Sequence, residues 1–155
     1  MKEANALNHV AAFHKTFKHP VIARPSIPDA TRCELRVSLL QEELNELKAA
    51  LHDGDLVEVA DALCDLQYVL SGAILEFGLG EKFSDLFDEV QRSNMSKACT
   101  SEEEAKQTAD FYGEQGIESY IRKEDELFLV YRKTDNKTLK SVNYSPASLK
   151  PILEG

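Results

Sequence analysis

The spacing of apolar positions divides the chain in two. Through residue 113 they recur at helical intervals, and beyond it they alternate every second residue. Leu7, Val10, Ala11, Phe13, His14 and Phe17 mark a first helix over 3–18, after which Pro20, Pro25 and Pro28 impose an irregular stretch. Helical spacing resumes at Asp29 and runs to Leu51. The "HDGD" of 52–55 breaks it, with Asp55 placed to cap a further helix that continues to Phe77. A fourth helix is predicted over 81–95, and a fifth begins where Ser101 and Glu104 stand in capping-box spacing. "IESYIRK", "ELFLVYRK" and "TLKSVNY" then alternate between the turn-like "EDE" and "TDNK", which predicts a small three-stranded meander. The expected fold is therefore mainly α: a four-helix-type bundle over 1–98, followed by an appendage over 99–155 made of a helix and the β meander. No internal repeat interrupts this plan.

Two of these helices place acids where apolar residues should stand. At about 100° per residue, Leu35, Leu39, Leu40, Leu44, Leu47 and Leu51 sweep one arc, and Glu43 and Glu46 fall inside it while Glu42 lies just outside. On the next helix Glu58, Asp61 and Asp65 share a stripe with Tyr68, Val69 and Gly72, and most of the remaining circumference is apolar. A helix that is apolar nearly all round is expected to be buried on most sides. From Ala49 through Glu81 there is no lysine or arginine to pair with seven acidic residues. Carboxylates removed from water without partners are costly, whereas hard divalent cations use their oxygens as ligands. Glu43/Glu46 and Glu58/Asp61 are each three apart, and a short turn makes the two helices antiparallel neighbours, so four acids can converge on a metal. If "QEELNELK" is instead a solvated face, Glu43 and Glu46 should be exposed.

Charge and cysteine usage narrow the partners. The 155 residues hold 27 Asp plus Glu against 18 Lys plus Arg, a formal net charge of -9. That balance disfavours nucleic acid and anionic membranes and favours metal ions. The three cysteines, Cys33, Cys64 and Cys99, are scattered without a CxxC pair, which suggests neither a disulfide framework nor a zinc site. A polar, amphipathic start and the lack of any run of 18 apolar residues lead to the expectation of a cytoplasmic protein without a membrane partner.

"EELNE" followed by "EVADALCD" resembles the ExxE and ExxD signature of the all-alpha nucleoside triphosphate pyrophosphohydrolases, the superfamily of MazG-like proteins, phosphoribosyl-ATP pyrophosphohydrolase and dimeric dUTPases. "FHKTF", "LRVSLLQEELNEL", "GDLVEVADALCDLQYVLSGAILEFGL" and "EVQRSNMSK" extend the resemblance to the phosphoribosyl-ATP pyrophosphohydrolase-like branch over residues 9–98. The resemblance implies Mg2+, with Mn2+ as an alternative, held by Glu43, Glu46, Glu58 and Asp61. It further implies hydrolysis of a nucleoside triphosphate to the monophosphate and pyrophosphate. Glu42, the first acid of "EELNE", is then the candidate to orient or deprotonate the attacking water, and Asp65 a further metal ligand or a residue that orients one. Arg92 and Lys97 of "RSNMSK" become phosphate partners, with Asn94 reaching phosphate or sugar; the alternative for Lys97 is a solvated lysine at a helix end. The resemblance also implies a homodimer or higher homo-oligomer, since family members commonly complete the bundle by association.

Weaker signals stay open. His9, His14 and His19 recur every five residues, too far round a helix to form one metal face. His14 and Tyr68 are read as packing residues, with a place in a base pocket as the alternative. Neither a Walker pattern nor GxGxxG is present. Rival readings are the phosphoribosyl-ATP pyrophosphohydrolase of histidine biosynthesis, a nucleotide-binding regulator without hydrolysis, and a helical interaction module.

Overall fold

Capping residues set the helix boundaries. The computed structural model describes residues 1–155, which form two compact units, Met1–Phe83 and Ser84–Gly155. In the first, α1 (Ala6–Phe17) is followed by the proline-bearing segment. α2 (Ala30–Asp53) starts at Asp29, whose side chain accepts the N–H of Arg32 at 3.0 Å. Gly54 ends it at φ 70, a left-handed C-cap that glycine adopts without strain. Asp55 then accepts the N–H groups of Val57 at 2.9 Å and Glu58 at 3.3 Å to open α3 (Leu56–Glu76). This sharp turn lays α3 along α2, and α1 packs on α3.

The proline-bearing segment is fixed to the end of α3. Ile22 N–H donates to Leu75 O and Ser26 N–H to Phe77 O, each at 3.0 Å, which satisfies carbonyls that a helix end leaves orphaned. Gly78 sits at φ 68 directly beneath this segment, and a Cβ there would collide with the Arg24 carbonyl. One turn of 3-10 helix, Gly80–Lys82, ends the unit.

The second unit carries α4 (Phe83–Met95), α5 (Glu102–Gly113), an antiparallel pair β1 (Ser119–Glu124) and β2 (Leu127–Arg132), and the short α6 (Lys150–Glu154). Its core is Cys99, Ala105, Val130 and Leu139. Ser101 caps α5 through the Glu104 N–H at 3.1 Å. The buried Glu104 carboxylate in turn accepts from Thr100 N–H at 2.8 Å, Thr100 Oγ1 at 2.9 Å and Ser141 Oγ.

The mainly α fold with a small C-terminal sheet matches the sequence pattern, with two corrections. The third expected strand is a single bridge between Tyr131 and Thr138. Ser141, Tyr144 and Ser145 hydrogen-bond instead to residues 93–104, which draws this segment away from the sheet. The second correction concerns burial. The apolar circumference of α3 and the leucine arc of α2 are not covered within the chain: Leu51, Leu56 and Val57 are 61%, 79% and 74% exposed, and Leu35, Leu44, Leu63 and Leu70 are also open.

Candidate metal and nucleotide site

The two ends of the α2–α3 pair treat their carboxylates in opposite ways. Toward the end of α3, Glu76 is 1% exposed and is gripped by two arginines of α2. Arg32 Nε donates to Glu76 Oε2 at 3.1 Å, and the Nη2 groups of Arg32 and Arg36 both donate to Oε1. Burial alone would push the Glu76 carboxyl up, but the bonds from Arg36 and Arg32 outweigh it and hold the pKa below its ordinary value. The expectation that the acids of 49–81 lack cationic partners is thus overturned for Glu76: its partners come from outside that window.

His14 completes this buried group. Its Nδ1 lies 2.8 Å from Pro20 O, which can only accept, so Nδ1 carries the proton and Nε2 presents its lone pair 3.5 Å from Arg36 Nη2. Burial, and after it the neighbouring Arg36 cation, lowers the His14 pKa against the opposing bond to Pro20, favouring the neutral ring. Gly72 makes room: a Cβ there would stand 2.7 Å from Arg36 Nη1 and 3.1 Å from His14 Nε2. The sequence reading missed Arg32, Arg36 and Glu76. The available signal was two arginines four apart on α2 facing the lone acid at the end of an apolar helix.

Toward the turn, Glu46, Glu58 and Asp61 line a recess of about 280 Å3 with Ala49, Ala50, Asp53 and Asp55. Glu43 and Asp65 line a different cavity. None of the five signature acids, Glu43, Glu46, Glu58, Asp61 or Asp65, takes part in an ion pair or a side-chain hydrogen bond. Glu46, Glu58 and Asp61 are exposed and Glu43 is half-buried, so the exposure expected of a solvated face holds for Glu46 but not for Glu43. The Glu43 pKa is raised, first by burial and then by the charges of Glu46, Asp65, Glu42 and Asp61. Those charges are therefore near enough to act on Glu43. As the side chains stand, no three of them form a coordination shell. Hard oxygen donors, unpaired on two neighbouring helices, nonetheless fit a hard divalent ion in chemistry.

Glu42 lies apart from both recesses, exposed on another face of α2 with Cys33, Val37, Ser38 and Asn45. In the second unit the "RSNMSK" side chains are engaged internally. Arg92 holds Glu89 through Nε at 2.7 Å and Nη2 at 2.8 Å, and also donates to Ser145 Oγ and Pro146 O, each at 3.1 Å. Lys97 Nζ donates to Asn94 Oδ1 at 2.7 Å.

A model of the phosphoribosyl-ATP pyrophosphohydrolase family matches residues 10–94, a span that includes all five signature acids and the buried arginine group. An uncharacterized protein of Acanthamoeba polyphaga mimivirus is 23% identical, with the alignment covering 99% of this chain and 97% of that protein. No single helix is long and apolar enough to cross a membrane.

Proposed function

The chain belongs to the phosphoribosyl-ATP pyrophosphohydrolase family, and from that premise we propose that it is a Mg2+-dependent enzyme that splits a nucleoside triphosphate into the monophosphate and pyrophosphate. Family membership carries pyrophosphohydrolase-type activity in general. The narrower reading rests on one observation, that the signature acids of α2 and α3 are left without a protein cation while Glu76 on the same helix pair is given two.

Glu43, Glu46, Glu58 and Asp61 would hold Mg2+, or Mn2+ on the same oxygens. An ion there would screen the triphosphate charge and acidify a water. For Glu42, which stands on another face of α2, the role of orienting or deprotonating that water rests on its place in the motif alone. Attack at the α-phosphorus forms the new P–O bond and releases pyrophosphate from the broken anhydride. For Arg92, Asn94 and Lys97 the support is their motif alone, since each is engaged within its own unit. The uncovered apolar faces of α2 and α3 favour a homo-oligomer, in which a second copy would bury Leu51, Leu56 and Val57.

The family match accommodates phosphoribosyl-ATP as substrate equally well. One experiment separates the readings: nucleoside triphosphates and phosphoribosyl-ATP are each incubated with the protein in Mg2+ or in chelator, and the products are identified. Equimolar monophosphate and pyrophosphate from a nucleoside triphosphate, only with the metal, is the expected result. Turnover of phosphoribosyl-ATP alone assigns the protein to histidine biosynthesis, binding without pyrophosphate makes it a regulator, and diphosphate plus orthophosphate rejects the chemistry.

A further inference from the structure

Residues 144–148 lie outside the family span, 10–94, yet they are tied to Glu89, Arg92 and Ser93 inside it. Tyr144 Oη and Ser93 Oγ share a hydrogen bond of 3.0 Å, Ser145 N–H donates to Ser96 Oγ at 2.9 Å, and Ser148 N–H donates to Glu89 Oε1 at 2.7 Å. Between these ties, Ser145 Oγ and Pro146 O accept from Nη1 and Nη2 of Arg92, each at 3.1 Å. Glu89, Arg92 and Ser93 stand three and four apart on one face of α4, and Ser96 follows just beyond its end. The segment therefore runs along that face as a strap.

The strap decides what Arg92 can reach. With Nε and Nη2 also on Glu89, four of the five N–H groups of the guanidinium are engaged. A phosphate held bidentately needs two adjacent donors, so it must displace either the Glu89 carboxylate or the strap. The strap is the weaker holder, because its oxygens are neutral and a guanidinium bonds a carboxylate more strongly. Residues 145–148 and Arg92 are exposed, and a segment held by exposed hydrogen bonds opens locally at little cost. We propose that residues 144–148 are a displaceable autoinhibitory strap, which covers the Nη1–Nη2 edge of Arg92 and competes for it with the polyphosphate of the substrate. The inference rests on the nucleotide reading above, with Arg92 as a phosphate partner. Polyphosphate then binds with its intrinsic affinity only in the fraction of molecules whose strap is open.

The test loosens the strap from its own side. Binding of inorganic tripolyphosphate in Mg2+ is measured by calorimetry on the full chain for the wild type, Tyr144→Phe, Ser148→Pro, Arg92→Ala and the double variant Tyr144→Phe/Arg92→Ala. Tyr144→Phe removes the bond to Ser93, and Ser148→Pro removes the N–H that Glu89 accepts. Each should tighten tripolyphosphate binding about fivefold, the change in open fraction expected from losing one hydrogen bond of ordinary strength. Without Arg92 the gain from Tyr144→Phe should disappear. In the wild type, hydrogen exchange at the Ser145 and Ser148 amides should speed up when tripolyphosphate is added, a readout that needs no variant to fold. Unchanged or weaker binding in both strap variants, a gain that survives Arg92→Ala, or slower exchange at these amides with the ligand would overturn the proposal. Tripolyphosphate binding requires no turnover, so an Arg92-dependent gain upholds the strap even if no nucleotide is split, while absent pyrophosphate release with that gain intact rejects the enzyme reading alone.

Discussion

Glu76 and Glu43 stand on the same helix pair and meet opposite conditions. Glu76 is buried against Arg32 and Arg36, and its carboxyl is held below the ordinary range. Glu43 is half-buried and forms no ion pair, and its carboxyl is pushed up, first by burial and then by the charges of Glu46, Asp65, Glu42 and Asp61. Both kinds of carboxylate are paid for in folding, but only the first is neutralised by the protein itself. The lesson is that an acid placed on an inner helix face is not by itself a metal ligand. What marks the signature acids is that arginines available on α2 are spent elsewhere.

The comparison can be broken most severely at Glu76. Glu76→Ala leaves two arginines without their carboxylate, one of them buried, and should cost about 3–5 kcal/mol in denaturant unfolding. Glu43→Ala, by contrast, should cost little or nothing in metal-free protein. A small effect at Glu76 would mean that solvent already neutralises the arginines. Next in size is Gly72→Ala, whose Cβ intrudes on Arg36 Nη1 and His14 Nε2. Overpacking of this kind costs about 1–3 kcal/mol, and His14→Ala should relieve only the smaller part of it, since the nearer contact with Arg36 Nη1 remains.

Acidity sharpens the contrast because the two carboxyls act with opposite signs. A lowered folded pKa means that the Glu76 contribution is fully present above the ordinary carboxylate value and is lost as pH falls through the folded one. A raised folded pKa means that Glu43 favours the fold below the ordinary value and loses that contribution as pH rises through its folded one. In chelator, unfolding free energy measured against pH should therefore lose its acid-side fall in Glu76→Gln. Glu43→Gln should remove a small decline at higher pH, with a gain at neutral pH of no more than about 1 kcal/mol, the scale of exposed charge pairs. Identical pH profiles for the two variants would erase the distinction.

The helices were legible because their signals are local. Asp29, Asp55 and Ser101 cap, and Gly54 turns, within a few residues of the periodicity they bound. The helical spacing of the acids in "EELNE" and "EVADALCD" was legible for the same reason, while their role as metal ligands is the proposal made above. The Arg32–Glu76–Arg36 group was not, since its partners are 44 and 40 residues apart and no helical period connects them. Periodicity also shows which residues are apolar without showing what covers them, so α3 read as buried when one side of it is open. "TLKSVNY" alternates like a strand, yet Ser141 bonds Glu104 on α5, Tyr144 bonds Ser93 on α4, and the following Ser145 bonds Ser96 just beyond α4, and that polar competition outweighs the alternation. "RSNMSK" reads as a phosphate motif, while Glu89 and the 145–146 segment occupy Arg92, contacts that spacing within the motif does not reveal.

The central claim, that the unpaired acids await a divalent ion, is tested most directly by thermal unfolding of the wild type and Glu46→Gln across a Mg2+ titration. Binding to the folded state alone adds about 2.7 kcal/mol at one hundred times Kd, so the wild-type Tm should climb with Mg2+. The neutral amide keeps the shape while removing a repelling charge and a good ligand. Metal-free Glu46→Gln should therefore melt at or above the wild type, respond less to Mg2+, and lose most pyrophosphate release. Equal Mg2+ responses and intact turnover in the two proteins would contradict the claim and leave these carboxylates as an ordinary solvated face.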